Sequence, residues 1–192
     1  MILPITAYGK KVLRKKGAKI DHVTPEIQSL IASMWQTIYA ATGMGLAAPQ
    51  VDQSLQLFIV DTQQVYDKMD QEEREAFFPN EQGIKETFIN SEIIEMSKDV
   101  WTDIEGCLSL PSIEGEVERE WSLKLRYLNA SLEEKVTVFT GLNARVIQHE
   151  YDHTQGVLFI DRLSALKQRM LKKTLNKIAA GDVEAKYDMD FA

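Results

Sequence analysis

The sequence holds a single cysteine and only three histidines among 192 residues. One cysteine excludes an intrachain disulfide framework and suits a reducing cytosol. No apolar run approaches the roughly 18 residues that a membrane span needs, and the mean hydropathy is −0.24. The start, Met1-Ile2-Leu3-Pro4-Ile5-Thr6, lacks the basic stretch and long apolar core of a secretory signal. A cytoplasmic protein with no membrane partner is therefore expected. Basic residues are in deficit, 22 Lys and Arg against 29 Asp and Glu, a net charge of −7. That balance disfavours general nucleic-acid binding. Hydrophobic residues at 44% and charged residues at 27% argue against disorder. No repeat or linker divides residues 1–192, which read as a single domain large enough to bury a core.

Hydrophobic spacing supplies the elements. Residues 1–20 carry a basic patch (Lys10, Lys11, Arg14, Lys15, Lys16) and read as a solvated loop. Ile27, Leu30, Ile31, Met34, Trp35 and Ile38 form one apolar stripe, so residues 25–41 read as a helix. Thr24 caps it, Pro25 opens it and Gly43 stops it. Residues 55–60, 86–96, 116–128 and 132–139 read as strands, the last two as an antiparallel hairpin around Asn129-Ala130-Ser131. The polar stretch 62–83 reads as a surface insertion with a short helix at 70–78. A second helix runs from Gly141 to Gln155, with Thr140 as cap and Gly156 as stop. A third covers 164–180, leaving an acidic tail to residue 192. The expected class is α+β: antiparallel or mixed sheets around a central helix, with one helix towards each end of the chain.

The strongest chemical signal is His149-Glu150-Tyr151-Asp152-His153. Two histidines at i and i+4 project from one helix face and can reach one divalent ion. Glu150 lies beside that face, placed to act as a general base towards water. A catalytic site of this type needs a third protein ligand. Downstream, Phe159 stands where an extended motif would put a histidine, and a phenyl ring cannot ligate. No Asp or Glu occurs from Leu163 to Gly181. Glu184, followed by Asp188, is a faint match to a second acidic motif. That reading would make the chain a zinc endopeptidase. Upstream stands Cys107, in Glu105-Gly106-Cys107-Leu108-Ser109-Leu110-Pro111. A thiolate with two imidazoles suits zinc or ferrous iron. Cys107 could also be a histidine-paired nucleophile, or a small buried apolar residue.

Gly43-Met44-Gly45-Leu46-Ala47-Ala48-Pro49-Gln50 permits close backbone approach by a ligand. It is no phosphate loop, because no Gly-Lys-Ser/Thr follows. The Gln50 amide can donate to a developing oxyanion. Leu142 and Val146 fall one and two helical turns before the histidines, on the same face, where they serve either as pocket wall or as core. Asp152 and Gln148 are candidates to orient an imidazole.

The segments GMGLAAPQ, EGCLSLP and QHEYDH, in that order, resemble the three signature motifs of the peptide deformylases. MILPITAYGKKVLRKKG and GVLFIDR are also similar to that family, and the likeness covers about residues 1–165. Two departures are mild: residues 62–83 are longer than in compact members, and Thr154 replaces a commonly aliphatic residue. The resemblance implies removal of the formyl group from N-terminal formyl-methionine of nascent peptides, with release of formate. It implies one divalent ion per chain on Cys107, His149 and His153, usually Fe2+, with Zn2+, Ni2+ or Co2+ as substitutes. It makes Glu150 the proton carrier, and Gln50 with the Leu108 N–H the oxyanion donors. Met44, Gly45 and Gly106 would bind an extended peptide through backbone groups. A non-catalytic relative that kept the fold is the alternative from another class. In the family, basic C-terminal helices can dock at the ribosome, and Arg162, Lys167, Arg169, Lys172, Lys173 and Lys177 supply such a helix here.

Overall fold

The computed structural model describes residues 1–192. In chain order the elements are β1 (Ile5–Thr6), α1 (Pro25–Ala40), β2 (Gly45–Ala47), β3 (Leu57–Asp61), α2 (Gln63–Tyr66), α3 (Gln71–Phe77) and β4 (Lys85–Met96). There follow β5 (Val100–Gly106), β6 (Glu114–Glu120), β7 (Ser122–Leu128), β8 (Glu134–Thr140), α4 (Gly141–Thr154), α5 (Ala165–Ala179) and β9 (Met189–Asp190). A five-stranded antiparallel sheet runs β2-β3-β4-β7-β8. β5 and β6 form a separate antiparallel pair, and β1 pairs with β9 in parallel. The fold is α+β, as expected.

β3 shows why the core sits where it does. All five of its residues are buried, so both of its faces are covered. Phe58 and Val60 join Phe88, Leu125 and Phe139 beneath α4, where Leu142, Val146 and Ile147 meet them. Leu57 and Ile59 point the other way and pack with Ile31, Met34 and Ile38 of α1. Thus α4 and α1 clamp opposite faces of one sheet. A third cluster joins Leu13, Leu110, Val117, Phe159, Leu175 and Ile178, tying the chain start and α5 to the β5–β6 pair.

The structure corrects several expectations. Residues 1–20 are no simple solvated loop: Ile5, Ala7 and Leu13 are buried, and β1 pairs with the tail. The expected strand 116–128 is two strands in two sheets, because the chain crosses over at Trp121. β5 was invisible, since its exposed positions leave an irregular apolar pattern. The left-handed residue after α1 is Thr42, at φ 57°, rather than Gly43. Thr140 makes no capping hydrogen bond to α4. Instead Gly141 takes φ 52° against the Phe77 carbonyl, where a Cβ would lie 2.2 Å from that oxygen. The 62–83 excursion is not only surface, because Phe78 is core and Val65, Tyr66 and Met69 pack on it. Nor is the end of the chain a loose acidic tail, since Met189 and Phe191 pack on the third cluster.

Candidate active site

α4 is buried along nearly its whole length although most of its side chains are polar. Burial of that kind is stable only when the polar groups find partners. Arg145 Nη1 donates to Glu105 Oε1 at 2.6 Å, and Gln148 Nε2 donates to the Glu120 carbonyl at 2.8 Å. Asp152 accepts from Arg119 at 2.9 Å and from Nε and Nη2 of Arg162 at 2.7 and 2.8 Å. Asp152 and Gln148 therefore orient no imidazole, contrary to the sequence expectation.

That task falls to Glu105. Its Oε2 lies 2.9 Å from His149 Nδ1, which directs Nε2 of the ring away from the carboxylate. Arg119, only 1% exposed, holds the same carboxylate through Nε at 2.6 Å and Nη2 at 2.9 Å. Burial alone would raise the Glu105 carboxyl. Hydrogen bonds and charge from His149 and Arg119 outweigh it and hold the group well below the usual carboxylate range. The sequence alone does not assign Glu105 a role. The signal was its place two residues before Cys107, on the strand that delivers the thiol.

Cys107, His149 and His153 come together, with one ligand atom from each lying within 4.8 Å of the others. Cys107 Sγ is 3.3 Å from His153 Nε2. The two histidine rings sit 5.1 Å apart on one face of α4. Glu184 is exposed and belongs to no such group, so the endopeptidase ligand set is replaced by the cysteine set. The donors fit a divalent cation. Burial would depress the His149 imidazole, yet Cys107, Glu105 and Glu150 draw it up to about 10, while burial and the His149 and Arg119 charges hold His153 well below 6.5. Glu150 Oε2 is buried without a partner beside them. Burial pushes the Glu150 carboxyl up to about 7, the range a general base needs near neutral pH. Gly45 makes room for it, since a Cβ there would lie 2.6 Å from Glu150 Cγ.

The remaining candidates line the same cleft, whose volume is about 480 Å³. Its walls include Met44, Gly45, Gly106, Leu142 and Val146. Leu142 and Val146 are at once wall and core. Gln50 is buried, its Oε1 fixed by the Ala47 N–H at 2.8 Å. That leaves its Nε2 pointing at Cys107 Sγ (3.5 Å) and Ser109 Oγ (3.4 Å). The Leu108 N–H donates to no protein acceptor. Tyr187, missed in the sequence, reaches the cleft from the tail.

A thiolate and two imidazoles beside a buried carboxylate, on an α+β scaffold with two amide donors in the cleft, define a metal-dependent hydrolase. A sequence profile described as polypeptide deformylase matches residues 2–169. The peptide deformylase of Christiangramia forsetii is 43% identical over 193 residues, covering all of this chain and 96% of that protein. That of Cytophaga hutchinsonii is 44% identical over 191 residues, covering 100% and 98%. A crystal structure of peptide deformylase from Ehrlichia chaffeensis superposes with a TM-score of 0.82 at 26% identity, covering 95% and 99%. The chain belongs to the polypeptide deformylase family.

Proposed function

We propose that this chain hydrolyses the N-formyl group from the N-terminal formyl-methionine of new polypeptides, releasing formate and a free amine. The observation that carries the reading is convergence: Glu150, Gln50 Nε2 and the unpartnered Leu108 N–H all border the Cys107-His149-His153 donor group.

Cys107, His149 and His153 would hold a divalent ion, which would supply Lewis-acid charge and a lowered water pKa at the site. Glu150 takes the proton from the attacking water and passes it to the departing nitrogen as the C–N bond breaks. Gln50 Nε2 and the Leu108 N–H donate to the carbonyl oxygen as it gains charge. Met44, Gly45 and Gly106 present backbone groups to an extended peptide, and Leu142 and Val146 pack against the methionine side chain. Glu105 holds His149 in one tautomer throughout.

The ion is ferrous iron in this reading, supported by the mixed thiolate and imidazole set. Zn2+, Ni2+ or Co2+ would fit the same donors. Iron-loaded protein loses activity in air faster than zinc-loaded protein, because both Fe2+ and Cys107 oxidise; equal loss would rule iron out. Formylated nascent chains place the work in the cytoplasm. No helix is long and apolar enough to cross a membrane. A weak ribosome contact through α5 is supported by Arg169, Lys172 and Lys173, which are exposed and make no ion pair. Removing α5 would not test this, because Leu175 and Ile178 are core.

The deciding experiment is formate release from a formyl-Met peptide by anaerobic, iron-loaded protein, with Glu150→Gln alongside. No formate from the wild type would sink the reading.

A further inference from the structure

The loop after Cys107 must hold a backbone N–H at a fixed place in the cleft, and the structure shows what holds it. The Leu110 N–H donates to the Cys107 carbonyl at 2.9 Å, and the Tyr8 N–H donates to the Ser109 carbonyl at 2.9 Å. The Leu108 carbonyl receives one bond, from the Tyr187 hydroxyl at 2.8 Å. No other donor reaches it. The N–H groups of Cys107, Leu108 and Ser109 all lack a protein acceptor while their carbonyls are held, and Leu108 is the one of the three whose C=O is held by a side chain. Tyr187 comes from far along the chain, beyond the matched residues 2–169. Its backbone is anchored two residues later, where Met189 pairs with Ile5. Its ring is half-buried, packed on the α1 cluster, and forms part of the cleft wall.

We propose that Tyr187 is a positioning residue for the hydrolysis. Its hydroxyl fixes the Leu108 carbonyl, which sets the rotation of that residue and aims its N–H at the oxygen that gains charge. In this proposal the hydroxyl acts through the Leu108 peptide, the one group to which it is hydrogen-bonded. An N–H aimed in advance costs no reorganisation when charge develops. Freed from Tyr187, the Leu108 carbonyl turns to water and the N–H samples other directions. Such a contact acts on the transition state more than on the bound substrate, so it belongs to kcat rather than KM.

The inference rests on the deformylase reading. Wild-type formate release tests that reading alone, and the comparison of variant with wild type tests this one. Tyr187→Phe keeps the ring and removes only the hydroxyl. The expected result is a fall in kcat of about tenfold, less than the ~100- to 1,000-fold seen when such a donor is removed outright. KM stays within about twofold, and exchange of the Leu110 amide quickens as the turn loosens. Ile31→Val, which trims α1 in the cluster beneath Tyr187 but leaves the Tyr187–Leu108 hydrogen bond in place, lowers Tm without changing kcat and controls for stability. An unchanged kcat in Tyr187→Phe would overturn the proposal, as would a change in KM alone. Loss of kcat with unaltered exchange at Leu110 would overturn it too, because the hydroxyl would then act elsewhere. A Tyr187→Phe chain that fails to fold would assign the hydroxyl to stability and end the idea.

Discussion

The two walls of the cleft are built on opposite plans. The α4 wall is a lattice of paired charges: Arg145 and Arg119 on Glu105, Glu105 on His149, Arg119 and Arg162 on Asp152. The facing wall, from Gly43 to Gln50 and from Gly106 to Leu110, is mostly backbone and carries amide donors that are partly free. The first wall fixes ions, which demand geometry and exact neutralisation in a medium without water. In the proposed reaction the second would meet a peptide whose side chains vary, and it offers the groups that every peptide shares. Glu150 stands at the junction, the one carboxylate of α4 with an oxygen left unpaired.

The comparison can be broken from either side. Glu150→Gln should cost up to about 10⁴-fold in formate release, about 5 kcal/mol of barrier, while bound metal per chain stays at the wild-type level. Loss of metal in that variant would show that Glu150 belongs to the lattice instead. Glu105→Gln attacks the lattice itself. It leaves Arg119 and Arg145 buried beside a neutral amide, so stability should fall by about 3–5 kcal/mol in urea unfolding. Metal affinity, measured by competition with a chelator, should drop about 10- to 100-fold. On the wall that carries the amide donors, Gln50→Ala should lower kcat about 100-fold, near 3 kcal/mol, and cost only about 1–3 kcal/mol of stability, from the Ala47 N–H left without its acceptor. An equal loss of stability would erase the distinction between the walls.

The pH dependence sharpens it further. The Glu105 carboxyl titrates lower in the folded chain than its ordinary value of 4.5. Its stabilisation is therefore fully present above about pH 4.5 and is lost as pH falls through the folded value. Acid unfolding should steepen below pH 4.5 in the wild type and flatten in Glu105→Gln. The smallest effect is expected far from both walls. Arg169→Glu with Lys172→Glu and Lys173→Glu should leave kcat unchanged and weaken ribosome co-sedimentation at low salt. Unaltered co-sedimentation would remove that partner.

Much of this was legible in the residues. The helix bearing His149 and His153 announces itself through spacing, and Cys107 follows from the need for a third donor. The α1 stripe and the β7–β8 hairpin also follow from local pattern. What escaped depends on contacts distant in sequence. β5 faces solvent at alternate positions, and only its pairing with β6 makes it a strand. Trp121 continues the alternation of its neighbours while the chain leaves one sheet for another. Glu105, Arg119 and Asp152 look like ordinary surface charges until the fold buries them together. Tyr187 gives no local sign at all, since its partner is a backbone atom 79 residues away.

The pairing of β1 with β9 has a consequence for how the molecule comes into being. It joins the first and last strands of the fold, and the Lys10–Asp190 ion pair sits beside it. A contact between residues so far apart in sequence carries a large loop-closure cost until the intervening segments are compact. Tyr187 reaches Leu108 only once that strand is in place. The finished turn therefore depends on a segment that lies beyond all three metal donors in sequence, so the donors can be assembled before the turn is fixed.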